Sequence, residues 1–368
     1  MFSFLKNKKE KMPENSFQER KKAIILEGRK KAELNGVNPQ TYDKMTKGLN
    51  FDVDLISQII KDNMNEPDTD YLAKRFLPDK NFGRKKEILK EDIVRGTILG
   101  DIIGSKYEFV PHDYSSIFSE ILPARNSYFT DDTVLSVATM EAVNERPDKP
   151  NFSRKYILGY LRNERAGFGG EFVRWATSNK GVPMEYVRGY HSIGNGCCMR
   201  LSYIPVYYDN IEDVIKHTIE SVMVTHNNSL SIIYSVVFAV SIWMAYHGAT
   251  KQDIFDYCNK YMSFTEEEMN MLEYKNVTYN FSTPLEKATG FSGRESLFCS
   301  FAVPYAIRCF YETNSYEECM REILSRFCDA DTVCAIAGGL CMAYYGKTGF
   351  DTRKIFEECI VKKVWKDI

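Results

Sequence analysis

The sequence predicts an all-α protein, and three observations carry that expectation. Apolar residues recur at helical spacing in long segments, Gly, Pro and Asn clusters divide those segments, and alternating strand-like runs are few. The chain has 368 residues, 44% of them hydrophobic and 27% charged, which is enough to bury a large core. Its 48 Lys and Arg against 50 Asp and Glu leave a formal charge of −2. With a pI near 6.3 there is no broad basic face, so no nucleic-acid partner is expected.

The expected helices follow in order. Glu91–Ser105 carries Gly96, Gly100 and Gly104, a spacing that lets a second helix approach closely. Asp132–Asn144 begins at the acidic cluster Thr130-Asp131-Asp132-Thr133. Ser153–Arg162 and Glu171–Thr177 lie either side of a glycine-bearing link, and Gly194–Tyr203 follows the turn Ser192-Ile193-Gly194-Asn195-Gly196. Ile211–Val224 and Ser229–His247 flank Thr225-His226-Asn227-Asn228. The most apolar run, Ile232 to Tyr246, is shorter than the roughly 20 residues that span a bilayer, so a core helix and no membrane partner are expected. Lys251–Tyr261, Ser296–Glu312, Tyr316–Ser325, Asp331–Tyr345 and Lys354–Trp365 complete the set. Between them, 263–294 is polar and aromatic and is expected to loop over a cleft.

All ten cysteines lie in the C-terminal half with no CxxC pair, which excludes zinc-ribbon and thioredoxin spacings. They sit among apolar residues and read as reduced, buried thiols, and the N-terminus shows no export signal. A cytoplasmic location is therefore expected. Residues 1–88 are polar and lysine-rich, with weakly amphipathic stretches at Ser16–Leu34 and Phe51–Ile60. They form an expected N-terminal extension, partly flexible, ahead of a main domain over 89–368.

Two acidic clusters precede apolar helices, Thr130-Asp131-Asp132-Thr133 and Asp329-Ala330-Asp331-Thr332. Each alone reads as a helix cap, since Asp and Thr satisfy free N–H groups and complement the helix dipole. Together they supply carboxylate and hydroxyl oxygens, a hard donor set that suits Mg²⁺. Asp101, set between apolar residues, and Glu108, just past the same helix, are not explained by glycine packing. The Gly194-Asn195-Gly196 turn presents backbone N–H groups of the kind that bind anions. His226 alone reads as a capping or packed histidine.

The order of these segments resembles the ADP-ribosylglycohydrolase family, including the dinitrogenase-reductase-activating glycohydrolases. GDIIGSKYE, FTDDTVLSVA, SIGNGCCMR, VTHNNS and DADTVCAIAGGLCMAYYG occur in that family's order, over about residues 92–347. The resemblance implies an orthogonal multi-helix, all-α domain with two Mg²⁺ ions at the base of an ADP-ribose cleft. It implies Thr130, Asp131, Asp132, Asp329, Asp331 and Thr332 as metal ligands, with Glu108 beside the metals. It implies Ser192, Gly194, Asn195 and Gly196 at the diphosphate and His226 on the adenosine and phosphate side. The NERAGFGGEFVRW stretch over Asn163–Trp175 resembles a loop near that cleft.

The resemblance implies hydrolysis at the ribose C1″ of an ADP-ribosylated protein, with an arginine side chain as the expected acceptor. That cleavage passes through an oxocarbenium-like state, so the sugar must be held and a water aimed. Asp131 or Asp132 is the candidate base, and Glu108 a candidate assistant. Three positions depart from the family's pattern: Phe327-Cys328 where glycines are common, Asn228-Ser229 after His226-Asn227, and Cys197-Cys198 in place of small residues. A catalytically weak, ADP-ribose-binding member is the alternative. A hydrolase domain with an extension also resembles immunity proteins against ADP-ribosyltransferase toxins, which implies an arm, beginning at Phe2, Phe4 and Leu5, that occludes a cognate toxin.

Overall fold

The computed structural model describes residues 74–365, apart from positions 84, 111, 184, 185, 273, 290 and 360. The helical stretches expected at Ser16–Leu34 and Phe51–Ile60, and the proposed toxin-binding arm, lie outside the described residues. Among the described residues there are 13 α-helices and no strand, with one isolated bridge between Gly194 and Phe298. The all-α expectation holds.

In chain order the helices are α1 (Lys90–Gly104), α2 (Asp131–Glu145), α3 (Phe152–Arg162), α4 (Gly170–Ser178) and α5 (Ile204–Tyr207). They continue with α6 (Ile211–Met223), α7 (Ser229–Tyr246), α8 (Lys251–Met262), α9 (Glu266–Met271) and α10 (Cys299–Glu312). The last three are α11 (Tyr316–Leu324), α12 (Ala330–Tyr345) and α13 (Thr352–Glu358). Helix α7 is apolar on every face because α6, α8, α10 and α12 surround it. It is 94% buried, as expected of a core helix.

Helices α1 and α12 lie against one another along most of their length. A Cβ at Gly96 would stand 2.8 Å from the Gly338 carbonyl oxygen, and one at Gly100 or Gly104 would overlap the carbonyls of Cys334 or Ala330. Backbone therefore meets backbone, and the start of α12 is pressed against the end of α1. Tyr316 ties the other end, donating its hydroxyl to the Gly96 carbonyl at 2.6 Å.

Three expectations need correction. Gly194–Tyr203 is not a helix: a 3-10 turn covers Asn195–Cys197, irregular turns follow, and α5 begins only at Ile204. The Asn195 side chain reaches to a distant segment and Pro205 sits in the first turn of a new helix, so the chain is broken at both ends. The last expected helix splits into α13 and a 3-10 turn at Val361–Lys363, which turns Trp365 inward under Arg95. Within 263–294, α9 forms on a Thr265–Glu268 capping box.

Part of the segment assigned to the extension lies on the domain. Phe76 is fully buried, its carbonyl accepts from Tyr257 at 2.9 Å, and the Lys86 N–H donates to the Tyr246 carbonyl at 2.9 Å.

Candidate active site

The close approach of α1 to α12 brings Asp101, in the last turn of α1, beside Asp331 in the first turn of α12. Helix α2 starts at the same point because Asp101 caps it from outside. Its carboxylate accepts from the backbone N–H groups of Thr130 at 2.9 Å and Thr133 at 3.1 Å. It also accepts from their hydroxyls at 2.8 Å and 2.5 Å. The two backbone bonds satisfy N–H groups that a helix start leaves free, and the hydroxyl bonds set the Thr130 oxygen beside Asp132. Across the gap, Thr332 donates its hydroxyl to Asp132 Oδ2 at 3.2 Å.

The two acidic clusters thus meet. One oxygen from each of Asp101, Asp132 and Asp331 lies within 4.8 Å of the others, and the same holds for Glu108, Asp329 and Asp331. Asp331 belongs to both groups. Asp131 belongs to neither; it is half-buried beside the 163–169 loop, where a Cβ on Gly167 would stand 3.7 Å from its Oδ1. The glycine-bearing stretch likened above to a cleft loop therefore flanks Asp131.

The electrostatics of this cluster are uncompensated. No Lys or Arg among the described residues forms an ion pair with any of these six carboxylates. Burial pushes Asp101 up to about 6 against the opposing hydrogen bonds from Thr133 and Thr130. Burial, then the charges of Asp329 and Asp101, pushes Glu108 up to about 7. Burial and the neighbouring Asp101 push Asp131 up to about 8. Asp132 and Asp331 are raised well above the usual carboxylate range by burial and then by their acidic neighbours, and Asp329 is raised by burial. Asp132 Oδ1 is buried with no hydrogen-bond partner. A buried carboxylate oxygen without a partner or a counter-charge is costly, and a divalent cation would supply the charge and coordinate the oxygen. The all-oxygen donor set, hydroxyls included, fits a hard cation.

The glycine turn reaches this centre from the side. Asn195 is buried, and its amide donates to Asp329 Oδ2 at 2.6 Å and to the Ser296 carbonyl at 2.8 Å. Ser296 in turn donates its hydroxyl to the Gly293 carbonyl and accepts from the Asp329 N–H at 2.8 Å. The Asn195 side chain is thus committed to orienting Asp329. The turn itself is held by the Gly194 N–H donating to Ser192 Oγ at 3.1 Å, and by Ser231 donating to the Ser192 carbonyl at 2.9 Å. His226 is buried beneath it, with Nε2 facing the positions where Gly194 and Gly196 would carry side chains.

Of the site residues named from the sequence, Asp132, Asp329, Asp331 and Glu108 meet in the two carboxylate groups, with Thr130 and Thr332 beside Asp132. Ser192, Gly194, Asn195 and Gly196 form the adjoining turn over His226, and Asp131 stands outside both groups. Asp101 and Ser296 were not among the residues so named. Asp101 carried a signal, a lone carboxylate between apolar residues of a helix; Ser296 carried none.

The ADP-ribosylglycohydrolase family profile matches residues 92–357, and the chain belongs to that family. Among relatives, mouse ADP-ribosylhydrolase ARH3 is 24% identical over 68% of this chain and 82% of its own length. A protein of Acanthamoeba polyphaga mimivirus named as an ADP-ribosyl glycohydrolase, L543, is 23% identical over 71% of this chain and 88% of its own. A solved structure titled ADP-ribosylglycohydrolase-related protein complex shares the fold, with a TM-score of 0.55 and 20% identity over 75% of this chain and 96% of that one.

Proposed function

We propose that this chain is a Mg²⁺-dependent N-glycosidase that releases ADP-ribose from modified arginine side chains of proteins. The observation that carries the reading is the junction of Asp132 with Asp331 and Asp329 with Glu108 in one buried carboxylate cluster without a cationic partner. Thr130, Asp132, Asp329, Asp331 and Thr332 would hold two Mg²⁺ ions, with Asp131 and Glu108 at the edge. Cations bound there would polarise water and the ribose hydroxyls and offset charge that develops on oxygen.

The residues of the chain supply the remainder. Asp101 accepts from the Thr130 hydroxyl at 2.8 Å and the Asp132 N–H donates to the same oxygen, which leaves one lone pair of Thr130 for a cation. Asn195 fixes the orientation of Asp329. Asp131, half-buried and outside both carboxylate groups, is the base that takes a proton from the attacking water. Bound cations would favour the ionised forms of Glu108 and Asp131 and so make this edge anionic, which suits a cationic guanidinium as leaving group, since its pKa above about 12 keeps it protonated. The Gly194–Gly196 turn and His226 form the side that takes the diphosphate.

The test is turnover on peptides carrying arginine-linked or serine-linked ADP-ribose, each with Mg²⁺ and with a chelator. Release from arginine that depends on Mg²⁺ supports the reading. Release from serine alone would retain the hydrolase and reassign the acceptor, and binding without release from either would make the chain an ADP-ribose-binding protein.

A further inference from the structure

His226 Nδ1 lies 2.7 Å from the hydroxyl oxygen of Thr225, and that oxygen also accepts from Arg200 Nη2 at 2.9 Å. A guanidinium only donates, so the direction of the Arg200–Thr225 bond is settled. Thr225 is fully buried and its hydroxyl has a single proton to place. Among the described residues its one acceptor is His226 Nδ1. Were Nδ1 itself protonated, the hydroxyl proton would be buried with nowhere to go, an arrangement that folded proteins avoid.

We infer that Arg200 and Thr225 are positioning residues that fix His226 as the Nε2–H tautomer, a neutral hydrogen-bond donor aimed at the Gly194–Gly196 turn. The inference rests on reading that turn as the ligand's diphosphate side. Its geometry is direct: a Cβ on Gly194 would stand 3.9 Å from His226 Nε2, and one on Gly196 3.8 Å from Cε1. The glycines leave that edge of the ring open to a ligand oxygen.

Arg200 is built for this task rather than for an ion pair. It has no exposed surface, its second Nη2 bond goes to the Ser221 carbonyl at 2.9 Å, and its guanidinium stands 4.0 Å from the centre of the Tyr156 ring. Its Nε and Nη1 have no hydrogen-bond partner. Tyr156 is anchored in turn by Thr139 at 3.0 Å and Ser221 at 2.7 Å. Burial, then the Arg200 charge, holds the His226 pKa well below its usual range, so the ring stays neutral and its tautomer is a meaningful choice. A neutral donor binds a phosphate or ribose oxygen without titrating itself.

Two-bond ¹H–¹⁵N spectra of the histidine-labelled full chain, with the His226 signal assigned from His226→Gln, read the tautomer without ligand. The expected spectrum has Nε2 protonated and Nδ1 bare. Thr225→Ser is expected to keep that tautomer and ADP-ribose affinity within about twofold, whereas Thr225→Val mixes the tautomers and weakens ADP-ribose binding about tenfold, the scale of one hydrogen bond. A wild-type spectrum with Nδ1 protonated would overturn the inference, as would an unchanged tautomer in Thr225→Val. The wild-type spectrum decides even where Thr225→Val fails to fold. A protonated Nε2 in a protein that binds no ADP-ribose would uphold the relay and defeat the functional reading, so the two fail separately.

Discussion

Thr332 donates its hydroxyl to the Asp132 carboxylate at 3.2 Å, across 200 residues of sequence. That contact joins the first turns of α2 and α12, each of which would otherwise be an ordinary capped helix start. Two caps become one centre because α1 lies between them, its glycines admitting α12 and its Asp101 capping α2. The helix ends also direct their positive dipole ends at the carboxylates, which eases their burial.

Asp331 and Asp131 should separate metal binding from base catalysis. Asp331 sits in both carboxylate groups, so Asp331→Ala is expected to abolish the rise in melting temperature that Mg²⁺ produces, together with turnover. Asp131→Ala should lose turnover by about 10²-fold or more, a typical worth for a general base, while keeping most of the Mg²⁺ shift. A Mg²⁺ response lost equally in both variants would make Asp131 a ligand and not the base.

Asn195 tests the oriented carboxylate. Removing the amide that holds Asp329 at 2.6 Å should weaken Mg²⁺ affinity roughly 10–100-fold, as loss of a ligand's supporting partner commonly does. Calorimetric titration of Asn195→Ala with Mg²⁺ measures it, and affinity within twofold of wild type would exclude this role.

The helix pair that frames the site should tolerate no side chain at its crossing. A Cβ at Gly100 overlaps the Cys334 carbonyl, so Gly100→Ala must push α1 and α12 apart and should cost about 1–3 kcal/mol. Gly170→Ala, at a position with nothing within 4 Å, should stay within about 0.5 kcal/mol. Urea unfolding of both variants in a chelator makes the comparison, and equal stabilities would argue against the close contact.

The metal-free protein should lose stability as pH rises. Asp101, Glu108 and Asp131 are pushed up to about 6, 7 and 8, against roughly 4 in an unfolded chain. Folded-state values above the unfolded ones mean that these groups favour folding in their protonated forms. Their contribution is complete below about pH 4 and is lost as pH climbs through about 8. Melting temperature in EDTA is expected to fall from about pH 5 to about pH 8, with added Mg²⁺ raising it most at the upper end. A melting temperature that climbed over that range in EDTA would contradict the uncompensated cluster.

Much of the helical fold was legible because long apolar-periodic segments such as α7 and α12 leave little choice of element. The 194–203 segment was not, although Gly194–Tyr203 reads as helical in the sequence. Its conformation is decided by the Asn195 bond to Asp329, 134 residues away, and by Pro205 beyond it. The site was legible in its clusters and not in its wiring. Asp101 stood out as a carboxylate among apolar residues, but its role as the cap of α2 depends on Thr130 and Thr133, which lie 29 and 32 residues further along. Local sequence carries no trace of a bond made that far away.

The most direct test of the whole account is ADP-ribose release from arginine-modified protein by metal-stripped wild-type chain, titrated with Mg²⁺ beside Asp331→Ala. No release is expected before Mg²⁺ is added, saturable release afterwards, and none from Asp331→Ala at any concentration. Full release by the stripped wild type in a chelator, or by Asp331→Ala, would contradict it.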